Sequence, residues 1–441
     1  MQLSNLNFSN FKNWKNFNTD LTKINLFFGQ NSSGKSSIIQ LLLLLKQTVE
    51  NKDEKVVLFF GDDKKSYVNL GNFDEILNKA ALNKKLTIGF SFKYFFSKIN
   101  FNVEIDKKEN GIIDVNKLNI LDIKNGNSIN VQRNNKNFEV NCKGAITNEE
   151  VLVDRIKSFY GLPFNLFNEN ESNDVSHKLD FSIRSLLENI IYIGPLRENP
   201  KREYKWTASR HSHFGIRGEN TFDAIITSIT ENEKYNSKYL NFTGSLAEIV
   251  GKWLVEFGMV EDFQIVPISE IKQLYQVNIK TKGSKNWVDI CDVGFGVSQI
   301  LPIIALCYYA PNGSIIIIEQ PEIHLHPKVQ SGLGDLLIDA ALSRNIQFII
   351  ESHSEHLLTR IQRRIAEEKI DDKHIKINFC NLVDGESVLE ELKVDDFGEI
   401  SNWPENFFGD EMEEIYQMQK AILKRKMNPA QVETDEDELP F

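Results

Sequence analysis

The sequence predicts an α/β fold: a mixed, largely parallel sheet at the core, an antiparallel β-meander and a helical insertion. Three observations carry this. A short apolar run at residues 24–28 leads into a Gly/Ser loop and then an apolar helix at residues 38–45. Two further apolar runs, residues 315–318 and 346–350, each end at an acidic residue and precede a helical pattern. Between these parts, residues 86–141 alternate apolar and polar side chains in short runs broken by Asn-Gly or Asp/Lys-rich turns, as antiparallel hairpins require.

Composition sets the frame. At 441 residues with 41% hydrophobic side chains, the chain can fill the cores of two or three domains. The opening MQLSNLNFSNFKNWKN has no apolar core of signal-peptide length, and the leucines at 41–45 sit in a block too short to cross a bilayer. A cytoplasmic protein with no membrane partner is expected. Cys142, Cys291, Cys307 and Cys380 lack C-x-x-C spacing, which fits reduced thiols better than a disulfide framework or zinc site. The net charge of −11 argues against a protein coated in nucleic acid and leaves a local basic groove open.

Taken in order, residues 3–8, an aromatic and Lys-rich turn over 11–17, and residues 24–28 read as strands of one sheet that feeds the loop. The loop spells G-x-x-x-x-G-K-S from Gly29 through Gly34 and Lys35 to Ser36, with Asn31, Ser32 and Ser33 inside it and Ser37 after it. That spacing cradles phosphates. Gly29 and Gly34 let backbone N–H groups turn inward, and the following helix aims its positive dipole end at the anion. Lys35 then supplies a cation for the β- and γ-phosphates of ATP, and the Ser36 hydroxyl a ligand for Mg²⁺.

Residues 56–60 and 67–70 read as strands and 71–77 as a turn into a helix, ahead of the meander. Residues 145–190 change to helical spacing, with VLVDRIKSFYGL and FSIRSLLENI as amphipathic candidates, and 190–193 is a strand followed by the loop GPLRENPKREY. Six cations, Arg197, Lys201, Arg202, Lys205, Arg210 and Arg217, are interleaved with Tyr204, Trp206 and Phe214 against Glu198 and Glu203. This is the candidate surface for DNA, RNA or another partner, weighed against an ordinary solvated loop of ion pairs. Helices are expected over 221–230 and 245–257, and strands over 263–266, 275–281 and 288–290. No heptad persists, so no long coiled-coil arm is predicted. The domain boundaries follow: an amino-terminal lobe over 1–144, a helical insertion with linking strands over 145–285, a carboxy-terminal lobe over 286–426, and an acidic, disordered tail over 427–441.

The second half of the site comes late in the chain. Glu319 ends the four-isoleucine run, where a carboxylate beside a phosphate loop holds the Mg²⁺ water shell. The next buried strand ends in Glu351-Ser352-His353, and because both strands precede helices their carboxyl ends share one sheet edge, which brings His353 toward the γ-phosphate. Histidines 324, 326, 353 and 356 are better explained without a dedicated metal cluster, since Mg²⁺ arrives with the phosphates. In CDVGFGVSQILP, Gly294, Gly296 and Ser298 open an apolar helix, a second anion-binding turn with no lysine. Two such sites suggest a nucleotide held between two protomers.

Together these strings resemble the ABC-class AAA ATPases of the RecF, SMC and OLD type, in particular a single-chain bacterial group with a carboxy-terminal domain of unknown function. The resemblance spans NFKNW, GQNSSGKSS, YIGPLR, DVGFGVSQILP, EQPEIHLHP, FIIESHSEHLLTRIQRR and NWPENFFGDEMEE. It implies an ABC-type P-loop NTPase fold in which residues 29–37 are the Walker A loop, 294–299 the signature offered to the opposing protomer, Glu319 the Walker B acid and His353 the switch histidine. It also implies a homodimer or larger homo-oligomer and a role like that of ATPases in anti-phage systems such as Septu and Paris, where a separate toxin or nuclease is the effector.

Two departures bear on chemistry. Gly294 stands where many signatures carry serine, so backbone amides must replace one hydroxyl. Gln320 occupies the place of the catalytic glutamate, and an amide cannot accept a proton from water. Either hydrolysis is slow, with Gln320 orienting water, or Glu322 serves as the base. Fewer than ninety residues follow His353, too few for the Toprim nuclease of OLD proteins, so no nuclease domain is expected in this chain. The competing reading is a RecF-like DNA-repair ATPase that binds DNA through the basic segment; a stand-alone nuclease lacks its carboxylate cluster.

Overall fold

A computed structural model describes residues 1–404 apart from 54, 63–65, 82, 135–136, 144–148, 154–157, 162–171 and 209–213, together with 407 and 418–423. Residues 1–401 form one compact unit and residues 402–441 another, in which Trp403 and Phe407 meet edge to face. The acidic tail expected at 427–441 lies outside the described residues.

The chain opens with a hairpin, β1 (Gln2–Phe11) and β2 (Trp14–Asp20), then β3 (Ile24–Gly29) and helix α1 (Lys35–Val49). A short helix α2 (Phe73–Ile76), capped by Asn72, precedes β4 (Lys85–Tyr94), β5 (Ser97–Lys107), β6 (Ile113–Asp122), β7 (Ser128–Asn134), β8 (Asn137–Lys143) and β9 (Glu149–Val153). Strands β1, β2 and β4 to β9 make one antiparallel eight-stranded sheet. The expected meander is therefore present and two strands wider at one edge. Leu3, Leu6 and Phe8 follow the alternation that β4 continues, so β1 pairs with β4 and not with β3.

Three local expectations differ from the structure. The turn expected over 11–17 shrinks to Lys12-Asn13, because Phe17 stacks on Phe8 and Trp14 meets it edge to face from a paired strand. Residues 56–60 and 67–70 form no strands: side chains of α1 take their backbone groups, Gln47 bonding Phe59 O at 2.7 Å and Val68 N at 3.2 Å, and Thr48 bonding Phe59 N at 2.9 Å. Val151–Val153, expected as helix, pairs with β8 along its open edge, and residues 154–157 of that expected helix lie outside the described residues.

Helix α3 (Ser172–Glu188) leads to β10 (Ile190–Ile193), β11 (Tyr204–Lys205), α4 (Thr221–Thr230), β12 (Tyr235–Ser237), β13 (Phe242–Gly244) and α5 (Leu246–Glu256). Ser245 and Glu248 form a reciprocal capping box on α5. Strands β14 (Asp262–Ser269), β15 (Leu274–Lys280) and β16 (Trp287–Asp289) join β11 in a small antiparallel sheet. Then come α6 (Phe295–Tyr309), β17 (Ile315–Glu319), α7 (Pro327–Ser343), β18 (Gln347–Glu351), α8 (Glu355–Ala366) and the hairpin β19 (Ile375–Val383) and β20 (Glu386–Leu392).

The second large sheet runs β10-β17-β18-β3-β19-β20, parallel except for the edge strand β20. Its central strands are apolar on both faces, as two covered faces demand. Ile315, Ile317 and Ile349 join one core with α1, α3 and the antiparallel sheet, while Ile316, Ile318 and Ile350 are buried on the opposite face, which α7 lines. Helix α1, buried along most of its length, is thus sandwiched between the two sheets. That packing fixes the loop ahead of it.

Candidate nucleotide site

β3 runs into the loop at residues 29–34, and the adjacent β18 and β17 end in Glu351 and Glu319, directly opposite each other in parallel register. Two positions of the loop admit only glycine. A Cβ on Gly29, at φ 140°, would sit 2.1 Å from the Cys380 carbonyl oxygen of β19. One on Gly34, at φ 94°, would sit 2.6 Å from Trp14 Nε1, which donates a 3.0 Å hydrogen bond to Gly34 O. Trp14, fully buried, buttresses the loop from the first hairpin.

Asn31 and Ser32 are exposed, Ser32 with φ 64°, and the buried Ser33 hydroxyl has no partner. Gly34 caps α1 without a side chain, which leaves the Lys35 and Ser36 amides uncapped, while Ser37 N–H bonds Gly34 O at 3.2 Å. Lys35 Nζ donates to Gly29 O at 2.9 Å and Gln30 O at 2.6 Å, laying its ammonium along the loop. Burial lowers its pKa, and the charge of Glu351 opposes that.

Four acids and amides converge on the same edge. Glu319 Oε1 accepts from the Tyr192 hydroxyl at 2.9 Å, and burial together with Glu351 pushes its carboxyl up to about 7. Glu351 Oε1 accepts from the Ser36 hydroxyl at 3.1 Å while Oε2 is buried without a partner. Burial raises its pKa, against the Ser36 bond and Lys35. Gln320, at φ 45°, donates its N–H to Glu351 O at 2.8 Å. Glu322 Oε1 accepts the His353 N–H at 2.6 Å, Oε2 is buried unpartnered, and burial raises this carboxyl too. The His353 imidazole stands at the rim, lowered by partial burial and then by Lys35.

This donor set fits a hard divalent cation. Two adjacent carboxylates, both pushed toward protonation, and a hydroxyl on one of them offer oxygen ligands and surplus negative charge, and the unpartnered Glu351 Oε2 is the unmet valence. Ser36, expected as a Mg²⁺ ligand together with Glu319, donates to Glu351, the acid beside Glu319 in register. Glu351 is the residue that sequence reasoning missed; its place at the end of an apolar strand was legible, its register with Glu319 was not. Among the described residues no group of three or more His, Cys, Asp or Glu side chains is placed to hold a metal, and His326 caps α7 through Lys328 N. Cys291, Cys307 and Cys380 are free thiols.

The glycine turn behaves differently at its three positions. Gly294 is exposed, caps α6 without a side chain, and a Cβ there would meet nothing within 4 Å. Gly296 packs near Met259 Cε and His324 O. Ser298, expected to face an anion, is buried and donates to Phe295 O at 2.7 Å, the back-bonding habit of a first-turn serine.

In the basic segment one residue departs from the expected surface. Arg197 is only 6% exposed, so it forms no surface. Lys201 pairs with Glu198 at 2.7 Å, Arg202 grips both oxygens of Asp292 at 3.0 and 2.7 Å, Lys205 is exposed, and Arg210 lies outside the described residues. Among the described residues no helix is long and apolar enough to cross a membrane.

The chain is 24% identical over 380 residues to Endonuclease GajA of Bacillus cereus (strain HuB5-5), a match covering 76% of this chain and 52% of that protein, so the chain spans about half the length of this curated relative. Among solved structures it is similar to the SMC head domain from Thermotoga maritima (13% identity, 89% of this chain, 100% of that one, TM-score 0.42). It is also similar to the Smc head domain with an extended coiled coil bound to the C-terminal domain of ScpA, from Pyrococcus furiosus (11% identity, 96% and 99% coverage, TM-score 0.41). Residues 370–418 match a family described as protein of unknown function DUF3696. Residues 1–358 match the AAA ATPase domain over most of the chain's length, and the chain belongs to that family.

Proposed function

We propose that the chain binds ATP with Mg²⁺ on residues 29–37 and hydrolyses it slowly, and that nucleotide-driven pairing of two copies controls a separate effector in bacterial anti-phage defence. The observation that carries this reading is the convergence of Lys35, Ser36, Glu319, Glu351 and His353 on one edge of a parallel sheet. Lys35 and the α1 amides bind the phosphates. Ser36, Glu319 and Glu351 would hold Mg²⁺, which supplies charge neutralisation along the triphosphate. Gln320, an amide in a left-handed turn, orients water without taking its proton, and this makes turnover slow. The exposed Gly294 turn is free to face a second copy's phosphates, with backbone amides in place of the hydroxyl that Ser298 spends on Phe295.

An endonuclease among the relatives supports a nuclease as the governed activity, and the resemblance to Septu and Paris ATPases supports defence in the cytoplasm. Burial of Arg197 and the ion pairs of Lys201 with Glu198 and of Arg202 with Asp292 reduce the positive charge that the described part of this segment offers to phosphates, which favours the ATPase-switch reading over the RecF-like DNA-repair alternative. The experiment is ATP binding and turnover by the purified chain beside Lys35→Ala, with phage plating of cells carrying either form and the neighbouring gene. Loss of binding, turnover and protection together in Lys35→Ala is expected. Turnover unchanged by the substitution defeats the assignment.

A further inference from the structure

Arg197 is a buried cation that the fold leaves incompletely bonded. It lies just beyond β10, with Nη1 on its own Pro195 O at 2.6 Å, Nη2 on Glu319 O at 3.3 Å, and Nε buried without a partner. A guanidinium taken out of water is costly unless nearby charge offsets it. Burial pulls its pKa down to about 10, and Glu322, Tyr192 and Glu319 oppose that, so it stays charged at neutral pH.

Its placement is more telling than its charge. Glu319 O is the last carbonyl of β17 before the chain swings through Gln320 at φ 45°. On the other side of this turn, Gln320 N–H is held by Glu351 O of β18 at 2.8 Å. The turn is therefore gripped from both neighbouring strands, by Arg197 on the β10 side and by the sheet on the β18 side. Because β10 pairs with β17 up to Ile193 and Ile318, the arginine reaches this carbonyl at short range. What it fixes is the direction of Gln320 and the path to Glu322, the two candidates for handling the attacking water.

We propose that Arg197 is a positioning residue for ATP hydrolysis, clamping the Glu319–Gln320 turn so that Gln320 and Glu322 hold their places against the nucleotide. The inference rests on the ATPase reading of residues 29–37 and adds a residue from a separate segment of the chain. It also assigns the arginine of the GPLRENP loop to the inside of the site and away from nucleic acid.

The test compares wild type with Arg197→Lys and Arg197→Met, measuring steady-state ATP turnover, affinity for a fluorescent ATP analogue, and melting temperature. Both variants are expected to bind nucleotide as the wild type does while kcat falls roughly 10- to 100-fold, the usual cost of losing a supporting contact or of a small misplacement. Lysine keeps the charge but offers one nitrogen in place of the planar fork whose Nη1 and Nη2 reach Pro195 O and Glu319 O, so it recovers only part of kcat. If Arg197→Met does not fold, the lysine variant carries the comparison. Wild-type kcat in the folded variants overturns the proposal, as does a parallel fall of melting temperature, nucleotide affinity and kcat, which marks a purely structural role. A wild-type protein that binds no ATP overturns the underlying site reading instead, and the binding arm separates the two.

Discussion

The Ser36 hydroxyl donates to Glu351 Oε1 at 3.1 Å, so the phosphate loop is tied to the end of β18, one strand nearer than Glu319. In the proposed nucleotide site this makes Glu351 a second candidate acid for the cation. Glu351→Gln keeps an oxygen that can accept from Ser36 and removes one negative charge. We expect ATP binding to need about 10- to 100-fold more Mg²⁺ in this variant, measured by titrating Mg²⁺ at fixed nucleotide. An unchanged Mg²⁺ requirement assigns Glu351 to loop architecture alone.

Glu322 is either a base or a brace. Its Oε1 holds the His353 N–H, so truncation and neutralisation differ in consequence. If it accepts the proton, Glu322→Gln and Glu322→Ala both stop turnover while ATP still binds. If it only braces the His353 loop, Glu322→Gln turns over normally and Glu322→Ala alone is impaired. Single-turnover hydrolysis with bound ATP distinguishes these outcomes.

Metal-free protein is expected to lose stability as pH rises. Glu319 has an ordinary carboxyl value of 4.5 that burial and Glu351 raise to about 7 in the folded chain. Across that window the native state retains a proton that the unfolded chain has already released, so stability falls from about pH 4.5 to about pH 7. Melting temperature recorded across this range in chelator should decline, and Glu319→Gln should flatten the decline. A melting profile that rises through the same window contradicts the electrostatics described.

Glycines at the two anion turns should respond oppositely. Gly29→Ala forces a Cβ against Cys380 O and an unfavourable φ, which should cost on the order of 1–3 kcal/mol and disable the loop. Gly294→Glu meets open space at φ −57°, so thermal unfolding should match wild type. Any loss of function in Gly294→Glu then reflects an encounter with another molecule. A lowered melting temperature in this variant shows that the turn serves the fold of its own chain.

Much of this architecture was legible in the sequence because it rests on strong local signals. The isoleucine strand, the strand ending in Glu351 and the phosphate loop combine apolar runs with turn chemistry that tertiary contacts do not override. Residues 56–60 and 67–70 misled because their apolar pattern packs against α1 while Gln47 and Thr48 take the hydrogen bonds a neighbouring strand would have supplied. Arg197 looked like surface charge because it opens a run of six cations over residues 197–217. Composition along the chain gives no sign that one arginine in a basic loop turns inward beside β17. Glu351 was hidden for a related reason: its role follows from register with Glu319, a relation between strands.

The central claim is that two copies close over ATP through the Gly294 turn. Sedimentation equilibrium of the purified chain with Mg²⁺ and a non-hydrolysable ATP analogue tests it most directly, with Lys35→Ala and Gly294→Glu run alongside. The account predicts nucleotide-dependent doubling of mass, or of the unit that associates, in the wild type and neither change in the two variants. A wild-type mass indifferent to bound nucleotide, or doubling that survives Gly294→Glu, would contradict it.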